Sequence, residues 1–149
     1  MRKIYVASSW RNKNQQSVVH DLRSDGHEVY DFKNPTAGNH GFHWSEIDPQ
    51  WKTWEPGIFR DLLDHPVAKS GFKSDWDAMV WADTCVLVLP SGRSAHIEAG
   101  YFVGSGKQLV ILLDKEGFEP ELMYKMANSV CVSMDEVLKC LALIQGEPQ

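Results

Sequence analysis

The stretch TCVLVLPSGRSAHIEAGYFVGSGKQLVILL, residues 84–113, decides the architecture. Its two ends, 84–89 and 109–113, carry no charge and are apolar at nearly every position, the pattern of strands covered on both faces. Between them, Pro90 to Ser94 reads as a turn, and 95–104 reads as a helix closed by Gly104, Ser105 and Gly106. A strand, a helix and a second strand in thirty residues form a crossover unit, so the two strands run parallel.

The same grammar extends outward. On the N-terminal side, KIYVA (3–7) is a short strand that stops at Ser8-Ser9. A polar helix follows over about 14–24, ended by Asp25-Gly26, and HEVYD (27–31) alternates as a second strand. A Trp- and His-rich irregular segment occupies about 33–55. Thr53 offers an N-cap, with Pro56 early in a helix that runs to about Asp64 and is broken by His65-Pro66; another helix spans about 74–82. On the C-terminal side come a short helix near 120–126, a small strand near 130–132 and a last helix announced by the capping-box pair Ser133 and Glu136. Alternating strands and helices predict an α/β sandwich of three layers with five strands, mostly parallel.

Composition narrows the function. At 149 residues the chain suits one domain, 1–149, which buries roughly 70% of its unfolded surface. A net charge of -5 without like-charge runs is no footprint for nucleic acid or an anionic membrane, so a small-molecule substrate is expected. Cys85, Cys131 and Cys140 are odd in number and lack CxxC spacing, and the N-terminus lacks an apolar secretion signal. A cytoplasmic protein with reduced thiols is the expectation, and Cys85 reads as a buried inert thiol. His40, His43 and Asp48 match no standard metal spacing, and no GxGxxG follows the first strand. No metal and no cofactor are predicted.

In a parallel sheet, ligands bind beyond the carboxyl ends of the strands, where the winding reverses. Three loops should meet there: Ser8, Ser9, Trp10 and Arg11; the Trp/His segment with His43 and Trp44; and Ser91, Gly92, Arg93 and Ser94. The last loop feeds a helix start whose free N–H groups favour an anion or a hydroxyl, although an ordinary strand-to-helix turn capped by Ser94 has the same appearance. Glu98 follows Ser94 by one turn on the same helix face. It serves as nucleophile or base, or else merely complements the helix dipole. A second carboxylate pair, Asp75 and Asp77 at the expected start of the preceding helix, favours chemistry, because two carboxylates meeting over a sugar can cleave a glycosidic bond. The segment HGFHWSEIDPQWKTW (40–54) reads equally as a lid that stacks a base and as a loop pinned down by tryptophans.

Four segments stand together in a specific order: IYVASSW (4–10); DWDAMVWAD (75–83), with aspartates eight residues apart; EAGY (98–101) with Gly106-Lys107; and Leu122-Met123. In these the chain resembles the nucleoside 2-deoxyribosyltransferases and the related nucleoside 5'-monophosphate N-glycosidases, over most of its length except 32–70. The resemblance implies a flavodoxin-like domain and a homo-oligomer whose sites are completed across a contact near Leu122 and Met123. It implies Glu98 as the nucleophile, Asp75 as the acid/base and Tyr5 as the hydroxyl that orients the nucleophile, with Trp10 near the base and substrate contacts from Asp77 and Met123. The partners implied are a nucleoside or nucleotide and a free nucleobase. For this chemistry Asp75 must keep its proton near neutral pH, through burial or a neighbouring carboxylate such as Asp77.

Two positions depart from the transferases. Gly92 replaces an aspartate that holds the sugar 5'-hydroxyl, and a loop of Gly92, Arg93 and Ser94 favours a phosphate instead. Glu121 replaces an asparagine that contacts the sugar from a neighbouring subunit. The rival readings are a nucleotide sensor without turnover and an NAD-cleaving enzyme.

Overall fold

The computed structural model describes residues 1–115 and 118–144. Five strands form one sheet: β1 (Lys3–Ala7), β2 (Glu28–Asp31), β3 (Thr84–Val88), β4 (Gln108–Leu112) and β5 (Ser129–Cys131). Their order is β2-β1-β3-β4-β5, and every pair is parallel. The helices are α1 (Gln15–Ser24), α2 (Pro56–Leu62), α3 (Pro66–Trp81), α4 (Arg93–Gly104) and α5 (Met134–Ile144). The winding reverses between β1 and β3, which places the switch point at their carboxyl ends.

Strand parity divides the core. Tyr5, Ala7, Cys85, Leu87, Leu109 and Ile111 face α3 and α4, where they meet Ala78, Met79, Ala99 and Phe102. Their alternates Ile4, Val6, Val86, Val88, Val110 and Leu112 face α1 and α5, against Val18, Val19, Leu22, Val137 and Leu141. Each Val or Leu fully buried this way contributes ~1.5–3 kcal/mol, which is why β3 tolerates no polar position after Thr84. This is the three-layer sandwich that the alternation predicts. Among the described residues no helix is long and apolar enough to cross a membrane.

Several local expectations are corrected. The break at His65-Pro66 is present, α2 ending at Leu62, but Pro66 also starts the next helix, eight residues before the expected 74. His65 is the N-cap, its Nδ1 accepting from the Val67 N–H at 3.1 Å, and Pro66 occupies the first turn, where its missing N–H is harmless. Asp75 and Asp77 therefore lie well inside α3 rather than at a helix start. Glu55, not Thr53, caps α2; Thr53 belongs to a 3₁₀ turn and its hydroxyl donates to Gln50 O. The N-cap of α4 is Gly92, so Ser94 lies inside the helix and Glu98 in its second turn. Ser133 Oγ accepts from the Glu136 N–H, but the Glu136 carboxylate accepts from Val132 N instead of closing the box on Ser133.

Residues 122–126 form a 3₁₀ turn. Lys107, on the turn into β4, donates its ammonium to Met79 O at 2.7 Å and Val80 O at 2.8 Å, satisfying carbonyls at the end of α3.

Candidate active site

A cleft of about 1250 Å³ opens between the carboxyl ends of β1 and β2, the segment after β2, and helices α3 and α4. At its floor the register of the sheet sets Tyr5 on β1 beside Tyr30 on β2, and their rings stack at 5.4 Å. Two carboxyls come down onto this pair from different helices, Asp75 from α3 and Glu98 from α4, and both line the cleft. Tyr30 donates its hydroxyl to Asp75 Oδ1 at 2.8 Å. The Tyr5 hydroxyl is buried beside Glu98 and has no hydrogen-bond partner among the described residues. Glu98 is the carboxyl beside this hydroxyl, and the two act on each other electrostatically.

The electrostatics follow from crowding acids away from water. Burial, then the charge of Asp75, pushes the Glu98 carboxyl up to about 8, with the neighbouring Tyr5 hydroxyl pulling the other way. Burial also raises Asp75, partly offset by the bond from Tyr30. Burial thus draws both carboxyls towards the protonated form, and the charge of Asp75 links the titration of Glu98 to its own. The phenols of Tyr5 and Tyr30 are raised by burial and by the same carboxylates, so both remain donors. Cys85, next to Tyr5 in register, is fully enclosed; burial and then Glu98 raise its thiol.

The walls are aromatic. Trp10 packs on His43 at 4.2 Å and meets Phe32 edge-on at 5.3 Å. Trp44 is held by Phe42, Trp54 and Phe59, and Trp54 is anchored in turn by its Nε1 donating to Asp48 Oδ2 at 2.7 Å. On the opposite side Trp76 of α3 packs on Tyr101 of α4 at 5.1 Å. The two readings of the Trp/His segment thus merge: it is pinned by Trp44 and Trp54, yet His43, Trp44 and Trp51 line the cleft.

Gly41 makes the closure possible. Its φ of +83° and the space above it admit no side chain, since a Cβ would stand 2.5 Å from Phe32 O and 2.8 Å from the Trp10 ring. The root of the segment is fixed by Asp31, which accepts from Gln15, Gln16, Asn34 and the Lys33 N–H. Burial opposes ionisation of Asp31, but these bonds outweigh it and hold the carboxyl below its ordinary range.

The cleft brings together Glu98, Asp75, Ser8, Trp10, Arg11, His43, Trp44 and Ser94, with Tyr5 directly beneath. Other predicted residues do not line it. Asp77 lies two residues past Asp75, hence on the outer side of α3, where it pairs with Lys73 in solvent. It is not among the causes of Asp75's raised pKa, so that role falls to burial. Ser9 Oγ accepts from the Arg11 N–H and shapes its own loop. Ser91 and Gly92 face His96, and Arg93 is exposed beyond the rim. Met123 is 60% exposed on the 122–126 turn, away from the cleft. Among the described residues no group of three His, Cys, Asp or Glu side chains is placed to hold a metal ion.

The residues that sequence reasoning missed are Tyr30, Trp76 and Tyr101. Only Tyr30 left a usable signal: alternation in HEVYD fixes the parity of its face, although the register that sets it beside Tyr5 is a tertiary fact.

No family model matches the chain, and no curated protein matches its sequence. Among solved structures it is similar to a 2-deoxyribosyltransferase from the psychrotolerant bacterium Bacillus psychrosaccharolyticus, at 18% identity and a TM-score of 0.59, over 91% of this chain and 89% of that one. It is also similar to a CMP N-glycosidase from Clostridium botulinum, at 18% identity and a TM-score of 0.49, over 93% and 97% of the two chains. At this identity the first likeness establishes the α/β fold over nearly the whole chain.

Proposed function

We propose that the chain cleaves or exchanges the N-glycosidic bond of a (2'-deoxy)nucleoside or its 5'-monophosphate through a covalent glycosyl ester on Glu98. The observation that carries this reading is the meeting of Glu98 and Asp75, from neighbouring helices, over two tyrosine hydroxyls at the floor of an aromatic cleft. Binding alone has no need of two carboxyls that burial pushes above their ordinary range.

In the first step Glu98, ionised, attacks the anomeric carbon while the C–N bond breaks. The bond's electron pair leaves with the base, and Asp75 protonates a ring nitrogen. In the second step water or another base attacks the anomeric carbon, the bond from that carbon to the Glu98 oxygen breaks and releases the carboxylate, and Asp75 takes the acceptor's proton. Two inversions give net retention.

Burial holds the proton on Glu98 more firmly than this step requires. A sugar carbon gaining positive charge beside Glu98, together with a closing bond from Tyr5, favours the ionised form there. The proton then resides on Asp75, where it is needed. Trp10 and His43 form the wall against which a planar base stacks, an interaction worth ~1–3 kcal/mol.

Ser8, Arg11 and Ser94 also line the cleft, and no carboxylate occupies position 92. This favours hydrolysis of a 5'-monophosphate as the more specific form of the reading. The homo-oligomer expected from the resemblance is part of the same proposal; Leu122, Met123 and Met126 form an exposed apolar strip on the 122–126 turn that suits it.

Chromatographic measurement of free base released from the four common deoxynucleosides and their 5'-monophosphates, with and without a second base, tests the proposal. Release by wild type and loss of at least ~10³-fold in Glu98→Ala are expected. Equal inertness of both proteins, with nucleotide still bound, would establish a sensor.

A further inference from the structure

Cys131 and Cys140 touch. Their sulfurs lie 3.7 Å apart, one at the end of β5 and the other in the middle of α5. The sequence that joins them, CVSMDEVLKC (131–140), has no local pairing signature, and the fold makes them neighbours across a strand and a helix.

Both positions are held. The carbonyl of Cys131 accepts from the Leu113 N–H at 2.9 Å, and its side chain packs in the layer under α5. Val137 and Leu141, three residues before Cys140 and one after it, are fully buried in that layer and fix the part of the helix that carries the second thiol. A disulfide needs its sulfurs at about 2.05 Å on elements whose side chains already face each other. The closure that remains is within the sweep of a cysteine side chain.

The two thiols also differ as a redox pair requires. Cys140 is partly exposed, whereas Cys131 is only 1% exposed, so an oxidant in solvent meets Cys140 first. Burial, then the neighbouring Cys140, pushes the Cys131 thiol up to about 12 and keeps it protonated beside the sulfur that reacts. The third thiol stands apart: Cys85 is fully buried among the residues facing α3 and α4, on the other side of the sheet.

We infer that Cys131 and Cys140 are a reversible dithiol–disulfide pair, oxidised by a peroxide, that locks α5 to the edge strand. The Cys140 thiolate attacks one oxygen of hydrogen peroxide and the O–O bond breaks. The departing hydroxide takes back the proton that Cys140 gave to solvent, forming water, and Cys140 becomes a sulfenic acid. The Cys131 sulfur then attacks the sulfenic sulfur, the S–O bond breaks, and the leaving hydroxide takes the Cys131 proton as a second water. Two thiols give up two electrons, and one peroxide accepts them. β5 is three residues long and pairs with β4 alone, so this corner of the sheet is where a cross-link adds most. The pair lies on the face of the sheet away from α4 and Glu98, so the inference is independent of the proposed reaction.

The test treats the whole chain with hydrogen peroxide and digests it without reduction. Trypsin cuts after Lys125 and Lys139, so the disulfide appears by mass spectrometry as two joined peptides, and as a loss of two hydrogens from the intact chain. In the native reduced protein, alkylation should label Cys140 at least ~10-fold faster than Cys131 or Cys85. Oxidation should raise Tm by about 5 °C through the closed loop 131–140, and dithiothreitol should reverse the rise. Cys140→Ser should lose both the link and the shift. The wild-type measurements need no variant, so a substitution that fails to fold leaves the test intact. Cys140 overoxidised to a sulfinic acid with Cys131 still free, a disulfide between two chains, or three free thiols after excess peroxide overturns the pair. A linked form no more stable than the reduced one overturns the lock.

Discussion

Replacing Glu98 by glutamine should make the protein more stable, and by an amount that grows with pH. Glutamine resembles the protonated carboxyl in shape and cannot ionise. The wild-type group titrates near 4.5 in an unfolded chain and at about 8 in the folded one, chiefly because burial penalises its charge. Below pH 4.5 both states hold the proton and the two proteins should differ little. Between 4.5 and 8 the unfolded chain releases the proton while the folded protein keeps it, so wild-type stability falls by as much as ~1.4 kcal/mol per pH unit. Above 8 the difference stops growing. The full displacement sets a ceiling of ~5 kcal/mol, but Glu98 is only partly enclosed and some of its shift disappears whenever Asp75 is neutral. A gain of ~2–3 kcal/mol at pH 8 is therefore expected, or ~5–10 °C in Tm for a chain of this size. Urea unfolding of both proteins from pH 4.5 to 8.5 measures it directly. A gap independent of pH, or a variant less stable at pH 8, would refute the reasoning and mean that Glu98 is ionised in the folded protein. The same substitution should abolish base release, separating stability from activity at one side chain.

Other substitutions probe separate parts of the argument. Base release should fall away above about pH 8, as both carboxyls become ionised, and also in acid once both are protonated; a flat profile across this range would remove the acid/base role. Tyr30→Phe deletes the bond that lowers Asp75, so the alkaline limb should move to higher pH while kcat drops by roughly three- to tenfold, as read from a pH series of kcat. Gly41→Ala should destabilise by ~1–3 kcal/mol and shift Trp10 fluorescence, because the positive φ and the contact with Phe32 O leave no room for a methyl group. Val86→Ala and Leu87→Ala, on opposite faces of β3, should each lose ~2–4 kcal/mol in chemical denaturation; a near-neutral result for either would mean that its face is not covered.

The fold was legible because both of its central strands are apolar at consecutive positions and are joined by one unmistakable helix. Parity alone then distributed side chains between two helical layers. The irregular features resisted reading where local grammar has two meanings. His65-Pro66 marks a helix end as readily as a helix start, and here it lies between both, α2 ending at Leu62 and α3 beginning at Pro66 with His65 as its N-cap.

The site divides in the same way. Spacing offered Glu98 and the pair Asp75 and Asp77 as candidate carboxylates, and the family resemblance favoured Asp75; the helix then places Asp75 in the cleft and Asp77 against Lys73. Tyr30 acts through a hydrogen bond to a residue 45 positions away, and no local pattern encodes such a partner.

Lys107 sits far from any reacting atom, yet it spans the two helices that carry the acids. Its ammonium closes carbonyls at the end of α3 and also lies over the rings of Tyr101 and Phe102 on α4, while Trp76 packs against Tyr101 between the helices. The separation of Asp75 and Glu98 is therefore a property of a braced frame, like the jaw setting of a caliper locked at its far end. A shorter or uncharged side chain at 107 would reset that gauge without touching the chemistry. Under the proposed reaction, the room left for an acceptor beside Glu98 is thus set in part from the opposite end of the helices.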